Sequence, residues 1–317
     1  MTARFESAAR ELTRPTAEVQ RPRRIVFDHL VLMKPRVMSL VVFTAAVGYV
    51  VAPGPIDWLR LVTTLSATAA GAGACGALNM WWDADIDAEM SRTAMRPIPR
   101  GVVPEREALA IGSVLGLASV AAMGFLVNWL AAALLILTIA IYIPLYSMVL
   151  KRRTPLNIVI GGAAGAIPPV IGWAGATGSL AAGPIALFLI IFLWTPPHFW
   201  ALALCRSRDY ERVGVPMLPN VVGPVATCRQ IVAYSVLLVI SSFGALLIPG
   251  IGLFYGAVAA VAGAVFLWKA IALYRLREAG EPERRKAAMA LFGFSILYTF
   301  LLFAALLAQG LLNRWPA

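Results

Sequence analysis

Apolar residues fill six long stretches of the chain that contain no Asp, Glu, Lys or Arg. The stretches are 37–56, 61–82, 108–150, 154–205, 230–268 and 287–313. A helix needs about 20 mostly apolar residues to cross a bilayer, so three of the stretches are long enough for two helices each. We expect these three to break at 124–129, 174–184 and 249–250. The pattern predicts nine transmembrane helices.

The basic residues are segregated between alternate ends of the predicted helices. Of the 27 Lys and Arg residues, 25 lie before span 1 or in the loops after spans 2, 4, 6 and 8, and only Arg60 and Arg314 lie at the other end. Basic loops favour the cytoplasmic side of a membrane. We therefore predict a cytoplasmic N-terminus and an external C-terminus. Of the 16 acidic residues, 15 lie on the predicted cytoplasmic side and only Asp57 lies on the external side. Polar chemistry is therefore expected at the cytoplasmic face.

The composition supports a lipid environment. The 317 residues are 60% hydrophobic and 14% charged, whereas soluble domains have about 45–50% apolar and about 25% charged residues. A soluble enzyme, a disordered chain and a nucleic-acid-binding domain are excluded on this ground, and the net charge of +11 indicates a membrane surface. We interpret residues 1–30 as a flexible basic cytoplasmic tail and residues 31–317 as one transmembrane domain.

Three oxygen-bearing side chains are spaced four residues apart where the second span ends. Asn79, Asp83 and Asp87 fall within an arc of about 80° on one helix face, and Asp85 points to roughly the opposite side. Carboxylates next to lipid are costly unless they are paired or bound to a metal. An oxygen stripe of this kind suits Mg²⁺ shared with a phosphate. The alternative is a solvated helix end held by salt bridges.

Basic and aromatic residues accompany this acidic stripe. Arg92 and Arg96, also four apart, suit bidentate contact with phosphate oxygens, which indicates an anionic, Mg²⁺-bound head group. The triplet 151–153 is typical of a topology signal. Tyr142 and Tyr146 precede it and lie one helical turn apart, either as stabilisers of a cation or as part of an interfacial aromatic belt.

The segment around residue 198 is the third candidate region. Pro196 and Pro197 predict a helix break directly before His198, one of two histidines in the chain. A histidine in a charge-free run is either a hydrogen-bonded packing residue or an axial ligand to a haem iron. Asp209 is a candidate for a second carboxylate on Mg²⁺.

These motifs resemble the UbiA superfamily of intramembrane prenyltransferases, whose first aspartate-rich signature matches Asn79, Asp83 and Asp87. Further segments resemble its protohaem IX farnesyltransferase (haem O synthase) branch from about residue 30 to the C-terminus. These segments are Lys34-Pro35-Arg36, Arg92-Thr93, Arg96-Pro97, Tyr146 with residues 151–158, Pro168-Pro169, residues 195–200, Asp209-Tyr210 and residues 216–219. One departure is that the second signature usually has two aspartates four apart, whereas Cys205 stands four residues before Asp209.

The resemblance implies a fold, a reaction and a set of site residues. The fold is an all-α, nine-helix UbiA-type bundle in the bacterial inner membrane, with a cytoplasmic active site. The reaction transfers farnesyl from farnesyl diphosphate to a vinyl group of haem b, with water addition, to give haem O and diphosphate. The implied partners are these substrates, membrane lipid and a downstream haem A synthase or haem-copper oxidase assembly, with no nucleic acid.

The resemblance also assigns roles to individual residues. Mg²⁺ is the implied cofactor, with Asn79, Asp83, Asp87 and Asp209 as ligands. Tyr146 is the implied stabiliser of the allylic cation, and His198 and Trp200 are the implied haem contacts. The implied diphosphate-binding residues are Lys34, Arg36, Arg92, Arg96, Lys151, Arg152 and Arg208.

Three other functions fit parts of the sequence. A related prenyltransferase would use an aromatic quinone precursor or a chlorophyll-like ring as acceptor. A transporter would place its site near the midplane in repeated halves, whereas this acidic stripe lies at the mouth of one helix and nine spans do not divide equally. A non-catalytic assembly factor for a haem oxidase would release no diphosphate.

Overall fold

The computed structural model describes residues 22–314, and every regular element within that range is helical. The α-helices are α1 (Pro22–Leu32), α2 (Pro35–Val50), α3 (Trp58–Trp82), α4 (Ala84–Glu89), α5 (Glu105–Leu126), α6 (Trp129–Ala140), α7 (Asn157–Ala166), α8 (Pro168–Thr177), α9 (Ala182–Arg212), α10 (Leu218–Ser242), α11 (Leu253–Arg275) and α12 (Glu281–Leu312). A π-helical segment (Ile141–Leu150) continues α6, and a 3₁₀ turn (Phe243–Leu247) continues α10.

Eight helical stretches between residues 22 and 314 are long and apolar enough to cross a membrane. They are Trp58–Trp82, Glu105–Leu126, Trp129–Leu150, Asn157–Thr177, Ala182–Arg212, Leu218–Leu247, Leu253–Arg275 and Glu281–Leu312. The remaining predicted span corresponds to α2, which is apolar but has only 16 residues. The all-α membrane architecture is confirmed, whereas the count of nine spans and the orientation stay predictions.

The structure confirms the three predicted breaks within the long apolar stretches. Between α5 and α6, the side chain of Asn128 accepts a hydrogen bond from the Ala131 N–H at 2.8 Å and so caps α6. α8 ends at Gly178, whose φ of 67° lies in the left-handed region that favours glycine. Gly250, with φ 82°, lies between the 3₁₀ turn and α11.

The prediction that Pro196 and Pro197 break the helix before His198 is wrong. α9 continues over Ala182–Arg212 through both prolines, and its non-helical dihedral angles occur only at Arg206 (φ −127°, ψ 18°). Both prolines are buried, and α9 packs against α7, α8, α10 and α12. Burial of apolar surface on several sides offsets the roughly 3 kcal/mol that a proline costs inside a helix.

α2 and α8 cross at glycines that bring their backbones into contact. A Cβ atom on Gly172 would lie 1.9 Å from the Ala45 carbonyl oxygen, and one on Gly48 would lie 2.0 Å from the Pro169 carbonyl oxygen. Small residues let helices approach closely in lipid, where packing rather than water exclusion drives their association. α8 begins at Pro168, so the break after Ala166 orients this close crossing.

The polar segments that follow alternate spans meet at one end of the bundle. Arg100 of the α4–α5 loop lies 3.6 Å from Asp28 of α1. In the same loop, the Ser91 hydroxyl donates to Asp209 of α9 at 3.5 Å. Arg208 of α9 donates to Glu281 of α12 at 3.1 Å. The predicted segregation of charge is therefore present in three dimensions. Which side of the membrane this end faces stays a prediction. The predicted tail lies mostly outside the described residues, and α1 occupies its last part.

At the opposite end, Arg314 joins the C-terminus of α12 to the α2–α3 loop. Its guanidinium donates to the carbonyl oxygens of Val50 at 3.0 Å, Ala52 at 2.5 Å and Gly54 at 2.5 Å. Three donors in a fixed fork satisfy carbonyl groups at the last residue of α2 and in the loop directly after it. This contact accounts for one of the two basic residues outside the charged end.

We expect Arg314→Ala to lower stability because it leaves these three carbonyl groups without their donor. The loss should be about 1 kcal/mol, or roughly 2–4 °C in apparent melting temperature, measured by intrinsic fluorescence in detergent. Arg60→Ala is the matched control, because its side-chain partner is the exposed Asp57 at 3.5 Å on the adjacent turn. Equal melting temperatures for Arg314→Ala and the unmodified protein would contradict the assignment.

Candidate active site

The predicted oxygen stripe is present at the end of α3. The helix is interrupted at Asp83, but backbone hydrogen bonds from Asp83 to Asn79 (3.0 Å) and from Asp87 to Asp83 (2.8 Å) preserve the spacing of four residues. Asn79, Asp83 and Asp87 are buried, with 4%, 0% and 2% of their surface exposed. The side chain of Asp85 is 62% exposed, as expected for the opposite side.

Asn79 is fixed in orientation by three hydrogen bonds. Its Oδ1 accepts from the Lys34 ammonium at 2.5 Å, and its Nδ2 donates to Asp83 Oδ2 at 2.7 Å and to Ser147 Oγ at 3.0 Å. These partners come from the α1–α2 junction, from the stripe itself and from the π-helical segment. The amide therefore joins three separate parts of the chain, which makes it a structural centre of the site.

Lys34 lies before α2, outside the spans, in a strained conformation. Its φ of 52° is the only positive value among the non-glycine residues that the structure describes, and such strain is typical of functional sites. The pKa of Lys34 is lowered to about 7, chiefly because burial removes water from its ammonium group and to a smaller extent because Arg96 and Lys151 repel it. The carboxylates of Asp87 and Asp83 act in the opposite direction and offset part of this repulsion.

Asp83 has one satisfied oxygen and one free oxygen. Oδ2 accepts from the Lys151 ammonium at 2.5 Å and from Asn79, whereas Oδ1 is buried without a hydrogen bond and lies 3.8 Å from Nη2 of Arg152. Asp87 forms an ion pair with Arg96. A buried carboxylate oxygen without a partner is rare and costly. Together with a second carboxylate and an amide oxygen, it forms a donor set that suits a hard cation such as Mg²⁺.

The described residues contain no group of three or more His, Cys, Asp and Glu side chains placed to hold a metal ion. Asp83 and Asp87 face cations, and the third member of the stripe is an amide. Asp209 lies in α9 with Arg206 at 3.8 Å, and the Ser91 hydroxyl donates to its carboxylate at 3.5 Å. The role of Asp209 as a metal ligand stays a prediction.

The π-helical segment explains how Lys151 reaches Asp83. The Lys151 N–H donates to the Tyr146 carbonyl oxygen at 2.8 Å, and the Ser147 hydroxyl donates to the Tyr142 carbonyl oxygen at 2.9 Å, each across five residues. π-helical turns are frequent at functional sites. This wider turn places Ser147 and Lys151 together against the stripe, which an ordinary helical wheel does not predict.

Tyr142 and Tyr146 stack with ring centroids 5.6 Å apart beside this segment. The space for Tyr146 depends on Gly161 of α7, where a Cβ atom would lie 2.3 Å from Tyr146 Cδ2. Gly165, one turn further along the same helix, has no heavy atom within 4 Å of such a Cβ. Gly161 is therefore required for the ring position, whereas Gly165 is not.

The other predicted diphosphate-binding residues differ in their surroundings. Arg152 donates to both carboxylate oxygens of Asp85 at 2.7 Å, and this pairing holds the pKa of Asp85 below its usual range. The side chain of Arg208 is 85% exposed and pairs with Glu281. Arg36 and Arg92 are exposed at the same end of the bundle. The structure thus places Lys34, Arg96, Lys151 and Arg152 around the stripe, and the other three cations nearer the surface.

The two predicted haem contacts lie on different sides of α9. His198 stacks between Trp194 (centroids 4.2 Å apart) and Phe292 (4.6 Å), and its Nδ1 lies 2.6 Å from Ser295 Oγ. Trp200 is fully buried and packs edge-on against Tyr234 of α10 at 5.3 Å. The hydrogen bond expected of a packing histidine is present. Haem contact by either residue stays a prediction.

Two serines that carry no recognisable motif in the sequence contact predicted site residues. Ser147 bonds to Asn79, and Ser295 bonds to His198. The position of Ser147 directly after Tyr146, in a charge-free run, was a usable signal. Nothing local distinguishes Ser295 from the other hydroxyl groups of α12.

This arrangement defines a class of protein, namely a multi-pass membrane enzyme with buried carboxylates, surrounded by Lys and Arg, at one end of its helical bundle. Residues 41–296 match the model of the UbiA prenyltransferase family. The chain belongs to the UbiA prenyltransferase family and is a prenyltransferase. A curated relative from Parvibaculum lavamentivorans, named protoheme IX farnesyltransferase, is 58% identical over 291 residues, which cover 90% of this chain and 89% of the relative.

Solved structures of low sequence identity share the fold. One, of digeranylgeranylglyceryl phosphate synthase, has a TM-score of 0.75 at 17% identity and covers 90% of this chain and 98% of that one. Another, a UbiA homologue from Archaeoglobus fulgidus bound to DMAPP and Mg²⁺, has a TM-score of 0.62 at 18% identity, with 88% and 99% covered. The predicted UbiA-type fold is confirmed.

We expect Gly161→Ala to lower prenyl-transfer activity, because the new methyl group displaces the Tyr146 ring. Misplacement of a group by about 1 Å is enough to lower turnover roughly tenfold or more. The measurement is product formed per amount of folded protein in membranes. Gly165→Ala, the matched control, should retain the activity of the unmodified protein. Similar activities in the two variants would show that the Tyr146 position does not matter.

Proposed function

We propose that this enzyme transfers a farnesyl group from farnesyl diphosphate to a vinyl group of haem b, with addition of water, to give haem O and diphosphate. The relative named protoheme IX farnesyltransferase supports the choice of substrates, because it is 58% identical across about nine-tenths of both chains. The observation that carries the proposal is the buried stripe Asn79, Asp83 and Asp87, with Lys and Arg around it.

The residues of the stripe fit a magnesium-bound diphosphate. Asn79, Asp83 and Asp87 would hold Mg²⁺, with Asp209 as a further carboxylate from α9, and the unsatisfied Oδ1 of Asp83 supports this assignment. The Archaeoglobus homologue bound to DMAPP and Mg²⁺ is consistent with it. When bound, the ion acts as a Lewis acid that stabilises negative charge on the leaving diphosphate.

The surrounding cations stabilise the same developing charge from the protein side. Lys34, Arg96, Lys151 and Arg152 contact the stripe or its neighbours in the structure, and their N–H groups are the donors for diphosphate oxygens. The exposed Arg36, Arg92 and Arg208 attract the anion from farther away. Because the donors are already positioned, little reorganisation is needed as the C–O bond breaks.

The apolar interior protects the allylic cation that forms. The stacked rings of Tyr142 and Tyr146 supply an electron-rich face and exclude water. The haem vinyl group forms the new C–C bond to the farnesyl carbon, and water captures the resulting cation with loss of a proton. His198 and Trp200 are the proposed haem contacts. We place the site at the cytoplasmic face of the bacterial inner membrane, with haem O passed to a haem A synthase or a haem-copper oxidase assembly.

We expect Asp83→Asn to abolish haem O formation, because the amide cannot neutralise Lys151 or bind a cation as a carboxylate does. Turnover should fall at least about a hundredfold, measured by mass spectrometry after incubation of purified protein with haem b, farnesyl diphosphate and Mg²⁺. Glu89→Gln removes an exposed carboxylate at the end of α4, the short helix that follows Asp83, and should leave turnover unchanged. Undiminished turnover by Asp83→Asn, or prenylation of a quinone precursor instead of haem b, would refute the proposal.

Removal of divalent cations should stop the reaction, because no metal ion then stabilises the negative charge on the leaving diphosphate. We expect EDTA to suppress haem O formation, and excess Mg²⁺ to restore it, in the same preparation of purified protein. The protein should stay folded in EDTA, as measured by its melting temperature. A full rate in EDTA would show that the protein cations alone support departure of the diphosphate.

A further inference from the structure

Ser295 of α12 holds two successive aromatic side chains of α9. The Trp194 indole N–H donates to the Ser295 carbonyl oxygen at 2.7 Å, and His198, one turn later, has its Nδ1 2.6 Å from the Ser295 hydroxyl oxygen. All three side chains are buried. A single residue therefore fixes both the indole and the imidazole, which also stack on each other at 4.2 Å.

The position of the Ser295 proton decides the tautomer of His198. Ser295 Oγ lies 2.6 Å from the Phe292 carbonyl oxygen, and two oxygens at that distance require a proton between them. A carbonyl only accepts, so the single hydroxyl proton is committed to Phe292. Ser295 Oγ can then only accept from His198, which places a proton on Nδ1. In the neutral ring, Nε2 is therefore an unprotonated lone pair.

The same contacts leave Nε2 without a partner. The two faces of the imidazole are covered by Trp194 and Phe292, and the edge that carries Nδ1 faces Ser295. Nε2 makes no hydrogen bond, and it is not among the fully enclosed polar atoms that lack one. A purely packing histidine in a protein interior normally satisfies its polar atoms. Phe199 packs edge-on against the ring with centroids 5.1 Å apart, and the Nε2 lone pair is the one polar atom of this histidine side chain without a partner.

We infer that Ser295 is a positioning residue that holds His198 in the tautomer and orientation in which Nε2 ligates the haem iron. The inference rests on the proposed function, because it needs haem as the substrate. A metal-bound histidine usually donates its other N–H to an oxygen acceptor, which fixes the ring and raises its basicity. Ser295 is that acceptor, and the Trp194 and Phe292 rings restrict rotation of the imidazole.

The test measures iron ligation directly rather than turnover. Ferrous haem b is added to the purified protein in detergent, and resonance Raman spectra report the Fe–His stretching band. We expect a band in the unmodified protein that His198→Ala loses and added imidazole restores. Ser295→Ala should keep a weakened band at lower frequency, because Nδ1 has lost its acceptor, and should raise the haem Kd about tenfold. Ser295→Thr should restore the original frequency.

Two further variants separate positioning from folding. Ser295→Cys keeps a side chain of similar size with a weak acceptor and should resemble Ser295→Ala. Ser242→Ala is the matched control, since it removes another buried serine hydroxyl that bonds to an aromatic residue of α12, Tyr298, at 2.7 Å. It should leave both the band and the Kd unchanged.

Each outcome distinguishes this inference from the proposed function. Haem O formation by the unmodified protein, with an Fe–His band that persists in His198→Ala or does not shift in Ser295→Ala and Ser295→Cys, would overturn the inference alone. Absence of haem O from the unmodified protein would overturn the proposed function, whatever the spectra show. A shift of equal size in Ser242→Ala would show a general packing effect and would also overturn the inference.

Discussion

The charged end of this bundle depends on the burial of one carboxylate, Asp83. It has no exposed surface, and an unpaired charge in such a position costs several kcal/mol. Lys151 and Asn79 satisfy one of its oxygens, and Arg152 lies near the other. Because Lys151 follows the π-helical segment, its ion pair with Asp83 holds that segment against the end of α3. Asn79, which bonds to both Asp83 and Lys34, connects the α1–α2 junction to the same place.

Irregular backbone is concentrated around this carboxylate. Lys34 has a positive φ, the α3–α4 helix is interrupted at Asp83 itself, and the chain from 141 to 150 adopts a wider π-helical turn. In lipid, backbone that departs from a regular helix is tolerated only where protein or a polar cavity surrounds it. The local departures here lie where side chains supply polar partners. They also direct Lys151 and Ser147 to the stripe, so strain and function coincide.

The division between a charged end and an apolar interior matches the substrate of the proposed reaction. A prenyl diphosphate has an anionic head and a hydrocarbon tail, and the bundle offers cations at one end and stacked aromatic side chains within. His198 belongs to the aromatic part, on α9, where Trp194 and Phe292 enclose its ring. The two regions therefore recognise different chemistry, and α9 extends from the aromatic region to Asp209 at the charged end.

The sequence by itself determined the helical architecture, the breaks near 127, 178 and 250, and the buried stripe, because hydropathy and the helical period act over neighbouring residues. The segregation of Lys and Arg likewise predicted which loops meet. The tertiary structure alone decided that α9 continues through Pro196 and Pro197, because packing on several sides offsets a local preference. It alone paired Ser147 with Asn79 and Ser295 with His198, across 68 and 97 residues of chain. No local pattern encodes such pairs, since they depend on which helix faces cross and where a turn widens.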